Sequence, residues 1–301
     1  MKKNLLFMLT PGENISPFDI TLAADSGFEQ IHSMTGLTTR DVKAKVQDAI
    51  FSRPPGNCRN TGIFIGGHNV HIAKDMFQVS CDAMVSPFEA SVFVDPNGAY
   101  TTAASIVALV EHHFLAKTGK HLNGVNTAVF GVGPVGLATA VLFAEQGANT
   151  RLCKLTASDE KGMALRFGER YGQKISWIHA ETLHEKLDAL QDVEIVICAA
   201  RAGVRILDIN EIGAARNLCL AADTNAVPPA GIGEIGAKDD GKELTAGNVE
   251  FQSIGPMTIG NVKYKVQSDM FKLMTECDDV ALLDFPQVFQ HAKSVVTQQY
   301  S

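Results

Sequence analysis

Apolar residues in this chain fall into short blocks that alternate between an extended and a helical period. Leu5–Leu9 is a continuous apolar run that meets Pro11 and Gly12, which predicts a short buried strand. Ser16-Pro17-Phe18-Asp19 reads as a helix start, with Ser16 as cap and Pro17 in the first turn, leading into Ile20–Asp25 and closed by Gly27. After Thr38 and Thr39, the stripe Val42, Val46 and Ile50 predicts a helix to Phe51, and Ser52–Gly56 is a loop. Thr61–Ile65 is a buried strand ending in Gly66-Gly67, Val70–Val79 a helix, Ala90–Val94 a strand and Asp95–Gly98 a turn. Thr101–Leu115 completes this half as a long helix. Strands that alternate with helices imply a parallel sheet covered by helices.

A polar linker, Lys117–Asn123, precedes a second series. Thr127–Phe130 is a strand, Gly131-Val132-Gly133-Pro134-Val135-Gly136 fits G-x-G-x-x-G, Leu137–Gln146 is a helix closed by Gly147, and Thr150–Cys153 is the next strand. Helices at Lys161–Tyr171 and Thr182–Leu190 flank a short strand at Lys174–Ile178. Val193–Ala199 is strongly β-type and ends in Ala200-Arg201-Ala202-Gly203, while Asn217–Ala222 runs into the proline- and glycine-rich loop Asp223–Gly233. Residues 254–275 turn at Gly255 and Gly260 before a helix, and Val280–Val296 is mostly helical, with Asp284 and Pro286 placed to restart a helix.

The expected fold class is α/β with two domains: an α/β substrate domain over 1–120 and a Rossmann dinucleotide-binding domain over 121–255. C-terminal helices over 256–301 are expected to pack back on the first. Within the glycine motif, Gly131 makes the tight turn, Gly133 leaves room for a pyrophosphate, and Gly136 lets the helix approach the sheet. Pro134 and Val135, between the second and third glycines, are expected cofactor contacts, and the free N–H groups at the start of the helix face the phosphates. The Asp223–Gly233 loop stands at a strand's C-terminal end, where doubly wound sheets bind ligands, so Ala200, Asp223, Asn225 and Ala226 join the expected cofactor contacts.

Composition narrows the partners. With 301 residues, 46% hydrophobic and 20% charged, the chain has material for about two cores. A net charge of −7 without a Lys/Arg block argues against nucleic acid or a membrane surface. No segment reaches the roughly 18 apolar residues of a membrane span, and the N-terminal apolar run is too short for a signal peptide, so a cytoplasmic protein is expected. The cysteines at 58, 81, 153, 198, 219 and 277 form no C-x-x-C pair, and Cys153, Cys198 and Cys219 read as small buried hydrophobes. His68, His71 and Asp75 could share a face, but they match no zinc signature and read as a solvated polar surface; no metal is expected.

Several stretches are more distinctive than the glycine motif: MLTP at 8–11, SPFD at 16–19, DAIFSRPP at 48–55, TGIFIGG at 61–67, DPNGAYTTAA at 95–104, DTNAVPPAGIGEI at 223–235 and IGNVKYK at 259–265. Across essentially its whole length the chain resembles the bacterial NAD(P)-dependent methylene-tetrahydromethanopterin dehydrogenases. That resemblance implies hydride transfer from a methylene-tetrahydropterin to a nicotinamide, in a homo-oligomeric enzyme of one-carbon metabolism. Lys263 matches the lysine that looks like an active-site residue in the family and is assigned to the pterin carbonyl, a tail group or positioning; Lys265 is its nearest competitor.

A pterin's amino group and ring N–H pair well with a carboxylate. Asp19 and Asp95, each following a strand, are the candidates, although Asp19 could equally be a first-turn acid. Asn97, Thr101 and Thr102 could bond ring edges or cap the helix that follows, and Arg53 could meet a polar tail. The end of the second strand of the glycine domain carries no acid before Asp159, and Lys154 and Thr156 could meet a 2′-phosphate, which favours NADP with NAD also possible. Alternatives are a methylene-tetrahydrofolate dehydrogenase, a bifunctional dehydrogenase–cyclohydrolase, a non-catalytic NADPH-binding redox sensor, and a shikimate- or amino-acid-dehydrogenase-like enzyme.

Overall fold

The computed structural model describes residues 3–55, 60–156, 161–276 and 279–301. The chain forms two compact units, one of Met1–Thr101 with Tyr264–His291, the other of Thr102–Lys263 with Ala292–Ser301. Cys58, Asp159 and Cys277, which entered the sequence reading, lie outside the described residues.

The first unit carries strands β1 (Leu5–Leu9), β2 (Gln30–Met34), β3 (Thr61–Ile65) and β4 (Ser91–Val94), joined by the two-residue β12 (Leu282–Leu283). They form one parallel sheet in the order β12-β4-β3-β1-β2. Every residue of β3 and β4 is buried, as continuous apolar runs inside a parallel sheet should be. Between the strands run helices α1 (Pro17–Asp25), α2 (Thr39–Phe51) and α3 (Val70–Asp82). Helix α4 (Ala99–Thr118) begins here and continues in the second unit, as does α10 (Phe285–Gln299), while α9 (Pro256–Glu276) starts in the second unit and ends in this one. Phe64 of β3, Phe93 of β4 and Phe271 of α9 form a triangle with ring centroids 5.3–5.4 Å apart, all fully buried. These rings fix the returning helix on the sheet.

The second unit holds β5 (Asn126–Phe130), β6 (Asn149–Lys154), β7 (Ser176–His179), β8 (Ile195–Cys198), β9 (Leu220–Asp223), β10 (Asp240–Ala246) and β11 (Val249–Ile254). Their order is β10-β11-β9-β8-β5-β6-β7, parallel except that β10 runs antiparallel to β11. The order reverses at β5, whose neighbours are β6 and β8, and that is where doubly wound sheets open a ligand crevice. Helices α5 (Pro134–Glu145), α6 (Lys161–Arg170), α7 (Leu183–Ala189) and α8 (Ile209–Ile212) complete the unit.

The structure departs from the expected layout at several points. The first unit ends at Thr101 within α4, not at the 117–123 linker. Gly260 lies inside α9 and makes no turn, because Ile259, Val262 and Val266 around it supply a buried stripe that outweighs the roughly 1 kcal/mol helix cost of a glycine. Residues 292–301 cluster with the second unit. There the Tyr300 hydroxyl donates to Asp240 at 2.6 Å, and its ring stacks on His112 at 4.3 Å.

Truncating the aromatic triangle tests how α9 is anchored. Phe271→Ala should lower stability to urea unfolding by about 3–5 kcal/mol, the usual cost of emptying a fully buried phenylalanine site; a loss under about 1 kcal/mol would contradict the packing.

Candidate functional site

In the second unit the chain leaves β5 at Gly131, takes φ +117 there and enters α5 through Gly133 and Pro134. A Cβ on Gly131 would stand 2.5 Å from the Ala199 carbonyl oxygen, and one on Gly136 would stand 2.0 Å from the Gly131 carbonyl oxygen. Neither position admits a side chain. A Cβ on Gly133 would meet nothing within 4 Å, so it would project into open space. The three glycines therefore do separate work, and Gly133 together with the first N–H groups of α5 forms a cradle whose shape and polarity fit a pyrophosphate.

Beside the cradle lies a cavity of about 570 Å³. Its lining includes all of Gly131–Val135, Leu155 and Thr156 after β6, Ala199–Arg201 after β8, and the apolar Val204 and Ile206. Gly131, Gly133, Pro134, Val135, Thr156 and Ala200 thus meet at one cavity, as their pattern suggests. Gly136 supports it from within α5. Arg201 was not among the expected contacts, although its place directly after a β-type run at the glycine domain's centre is the signal that marks it.

Other expected cofactor contacts have different work in the structure. Lys154 is 5% exposed and pairs with Glu181 at 3.6 Å, so it supports the ends of β6 and β7 and does not line the cavity. Asp223 is fully buried at the end of β9, where its two carboxylate oxygens accept from the backbone N–H groups of Asn225 at 2.9 Å and Ile232 at 3.0 Å. Burial raises its pKa, and the N–H groups of Asn225, Ile232 and Gly231 oppose that shift. The Asn225 side chain accepts from Gly203 N–H at 3.1 Å and Val227 N–H at 2.9 Å, and donates to the Pro229 carbonyl at 2.7 Å. Both residues pin the 223–233 loop, and neither they nor the exposed Ala226 line the cavity.

The first unit has its own cavity, of about 290 Å³, lined by Asn14–Pro17, Asp19, Gly66–His68 and Asn97. It opens where β1, β3 and β4 end, the C-terminal edge of the sheet. Asp19 is 4% exposed and accepts from the Gln267 side-chain amide at 2.7 Å, across 248 residues of sequence. One helical turn earlier on α9, Tyr264 meets Phe18 edge to face at 6.3 Å. These contacts lock the start of α1 to α9 and set the direction of the Asp19 carboxylate. Asn97 stands in the left-handed region at φ 53, a conformation asparagine tolerates better than most residues.

Gln267 carries no motif and is invisible to sequence reasoning. It is fully buried, and its amide oxygen has no hydrogen-bond partner among the described residues.

Asp95 and Thr101 belong to the scaffold. Fully buried Asp95 accepts from the Tyr100 N–H at 2.8 Å and from the Thr101 hydroxyl at 2.6 Å, closing the turn into α4, and neither residue lines the cavity. Thr102 is half-buried on the same helix. Arg53 sits at the opposite end of the sheet, where its guanidinium donates to the carbonyls of Lys3 at 2.9 Å and Asn60 at 3.2 Å, just before β1 and β3 begin. It ties chain segments together, far from the strand ends that shape the cavity. Lys263 is half-buried on α9, whereas Lys265 is exposed and pairs with Asp269 at 3.1 Å.

Among the described residues, no group of three or more His, Cys, Asp or Glu side chains is placed to hold a metal ion. His68 precedes α3 and lines the first unit's cavity, so it shares no helix face with His71 and Asp75. Cys153 and Cys198 are free, buried thiols whose pKa is pushed up to about 12 by burial. Both therefore stay protonated. Cys219 is half-buried, with its pKa also raised by burial.

Comparison with known proteins adds to this geometry. A family model described as methylene-tetrahydromethanopterin dehydrogenase, N-terminal, matches residues 17–97. The NAD(P)-dependent methylenetetrahydromethanopterin dehydrogenase of Methylorubrum extorquens is 36% identical over 297 residues, covering 98% of this chain and 99% of that one. A bifunctional protein, MdtA, of the same organism is 30% identical over 98% of this chain and 100% of its own. Among solved structures, the NAD-dependent malic enzyme of Thermotoga maritima aligns with a TM-score of 0.55 at 13% identity, over 97% of this chain and 84% of that one. Shikimate 5-dehydrogenase of Listeria monocytogenes aligns with a TM-score of 0.51 at 11% identity, over 98% and 96%. At such identities the likeness is one of fold.

The glycine geometry predicts two opposite outcomes. Gly133→Ala should leave the thermal unfolding midpoint within about 2 °C of wild type yet weaken NADPH binding, read by nicotinamide fluorescence, by about tenfold or more, since the added methyl enters open space at the cradle. Gly131→Ala should destabilise the fold itself, because a methyl there meets backbone at a positive φ.

Proposed function

We propose a hydride transfer for this chain on the premise that it belongs to the NAD(P)-dependent methylenetetrahydromethanopterin dehydrogenase family. The reaction takes hydride from the methylene carbon of N5,N10-methylene-tetrahydromethanopterin and leaves the methenyl cation. When bound, the nicotinamide of NAD(P) supplies the hydride acceptor. The methylene carbon lies between two nitrogens, so the breaking C–H bond leaves a positive charge that their lone pairs spread over N–C–N. No proton moves in that step. What the chain must do is orient the donor carbon within about 3–3.5 Å of its acceptor and keep water out.

The glycine cradle carries the cofactor half of this reading. Gly131, Gly133 and the start of α5 hold the pyrophosphate, and the adjoining apolar walls at Leu155, Val204 and Ile206 take the adenosine.

Asp19 carries the pterin half. Its carboxylate, set by the Gln267 amide at 2.7 Å, receives the pterin amino group and ring N–H, and Asn97 at the same cavity bonds the ring edge. Lys263 serves the pterin carbonyl or the tail, since an ammonium beside the forming methenyl cation would oppose the reaction. Gln267 touches Asp19 and acts through it, as a positioning residue.

Purified protein mixed with methylene-tetrahydromethanopterin or methylene-tetrahydrofolate, each with NAD and NADP, should turn over the methanopterin substrate, seen as methenyl and reduced-nicotinamide absorbance. Absence of turnover in all four mixtures rejects the dehydrogenase reading. Gln267→Met should raise the KM for the pterin by about tenfold or more while kcat changes less, because a charge-assisted hydrogen bond worth about 1.5–3 kcal/mol no longer holds Asp19. Equal losses in kcat with an unchanged KM would remove the positioning role.

A further inference from the structure

Lys154, Lys186 and Arg205 adjoin lining residues of the second unit's cavity in sequence or through a hydrogen bond, and all three are engaged elsewhere. Lys154, at the end of β6, is buried against Glu181 at 3.6 Å. Lys186 donates to the Ile206 carbonyl at 2.6 Å. Arg205 donates to the Ala230 carbonyl at 2.7 Å and pairs with Asp208 at 3.4 Å. Arg201 differs from all three. It is exposed, lines the cavity, and makes no hydrogen bond or ion pair within the described residues.

The acids around the cavity point the same way. A site built for the 2′-hydroxyl of an unphosphorylated adenosine places a carboxylate at the end of the second strand of its sheet. Among the described residues, those following β6 that line the cavity are Leu155 and Thr156, and the lining includes no Asp or Glu. Glu181, after β7, faces Lys154 at 3.6 Å and His179 at 3.9 Å, so its charge is already answered. Among the described residues that line the cavity, Arg201 is the one cation, and it is unpaired. A guanidinium has a rigid planar fork that matches a phosphate's oxygens, which a lysine's point charge does not.

We infer that Arg201 is the residue that recognises the 2′-phosphate of NADP, and that Lys154 has no direct part in cofactor choice. The assignment rests on the cofactor reading above and goes beyond it by naming the group that separates NADP from NAD. Thr156 stands at the same cavity and marks the strand end near which the ribose lies.

Calorimetric titration of the full chain with 2′,5′-ADP and 5′-AMP tests this without turnover. Wild type should bind 2′,5′-ADP more tightly than 5′-AMP. Arg201→Ala should weaken 2′,5′-ADP by ~10–100-fold, the range expected for losing charge-assisted hydrogen bonds, while 5′-AMP shifts by less than about threefold. Arg201→Lys should fall between, because the charge stays and the fork is lost. An unchanged 2′,5′-ADP to 5′-AMP ratio in Arg201→Ala overturns the assignment. So does a wild type that binds NADH and NADPH, followed by nicotinamide fluorescence, without preferring 2′,5′-ADP; in that case the dinucleotide reading stands. A folded wild type that binds neither dinucleotide removes both readings together.

Discussion

The second unit is built around a place where backbone meets backbone. Gly131 lies against the carbonyl of Ala199, and Gly136 lies against the carbonyl of Gly131, at separations that exclude even a methyl group. This contact draws the start of α5 down onto the ends of β5 and β8 and leaves Gly133 alone facing open space. The cavity, the exposed N–H groups of the helix start and the position of Arg201 all follow from it. Because β5 is also the strand where the sheet order reverses, the flanking connections leave on opposite sides and the crevice stays open.

A second constraint recurs at the strand ends. A carboxylate removed from water is stable only when donors surround it, and backbone N–H groups at a turn are the nearest supply. Asp95 after β4 and Asp223 at the end of β9 are both fully buried and both accept such bonds, and Asp239 before β10 accepts from Gly236 N–H at 2.8 Å and the Ser253 hydroxyl at 2.8 Å. Each shapes a loop. Asp19 differs because it accepts from a side chain, Gln267, on a helix far along the sequence, and because it borders a cavity.

That distinction explains which parts were legible beforehand. The all-apolar TGIFI of β3 and the Val42, Val46, Ile50 stripe of α2 announce themselves, since burial on both faces or on one stripe leaves a periodic record. Edge strand β2, Gln30–Met34, is largely exposed and leaves none, and the β10–β11 hairpin carries an equally mixed pattern on β10. The glycine motif was readable because its steric demands act within six residues. The roles of Asp19, Asp95 and Asp223 were not separable, because all three are acids near strand ends and only their partners differ. Gln267 and the engagement of Lys154 by Glu181 depend on long-range packing that no local pattern encodes.

The chemistry makes the scaffold role of those acids intelligible. An enzyme that moves protons needs a carboxylate or imidazole with its titration open to substrate, and tunes that group by burial and neighbours. Hydride loss from a carbon between two nitrogens generates its own stabilised cation and needs no such group. The carboxylates at the strand ends can then be closed off inside turns without loss to the reaction. The carboxylate that borders a cavity, Asp19, accepts from a neutral amide, which fixes its direction, and the proposed function gives it the ring edge of the pterin. Orientation, not proton affinity, is the property this arrangement supplies, and it is the property that hydride transfer uses.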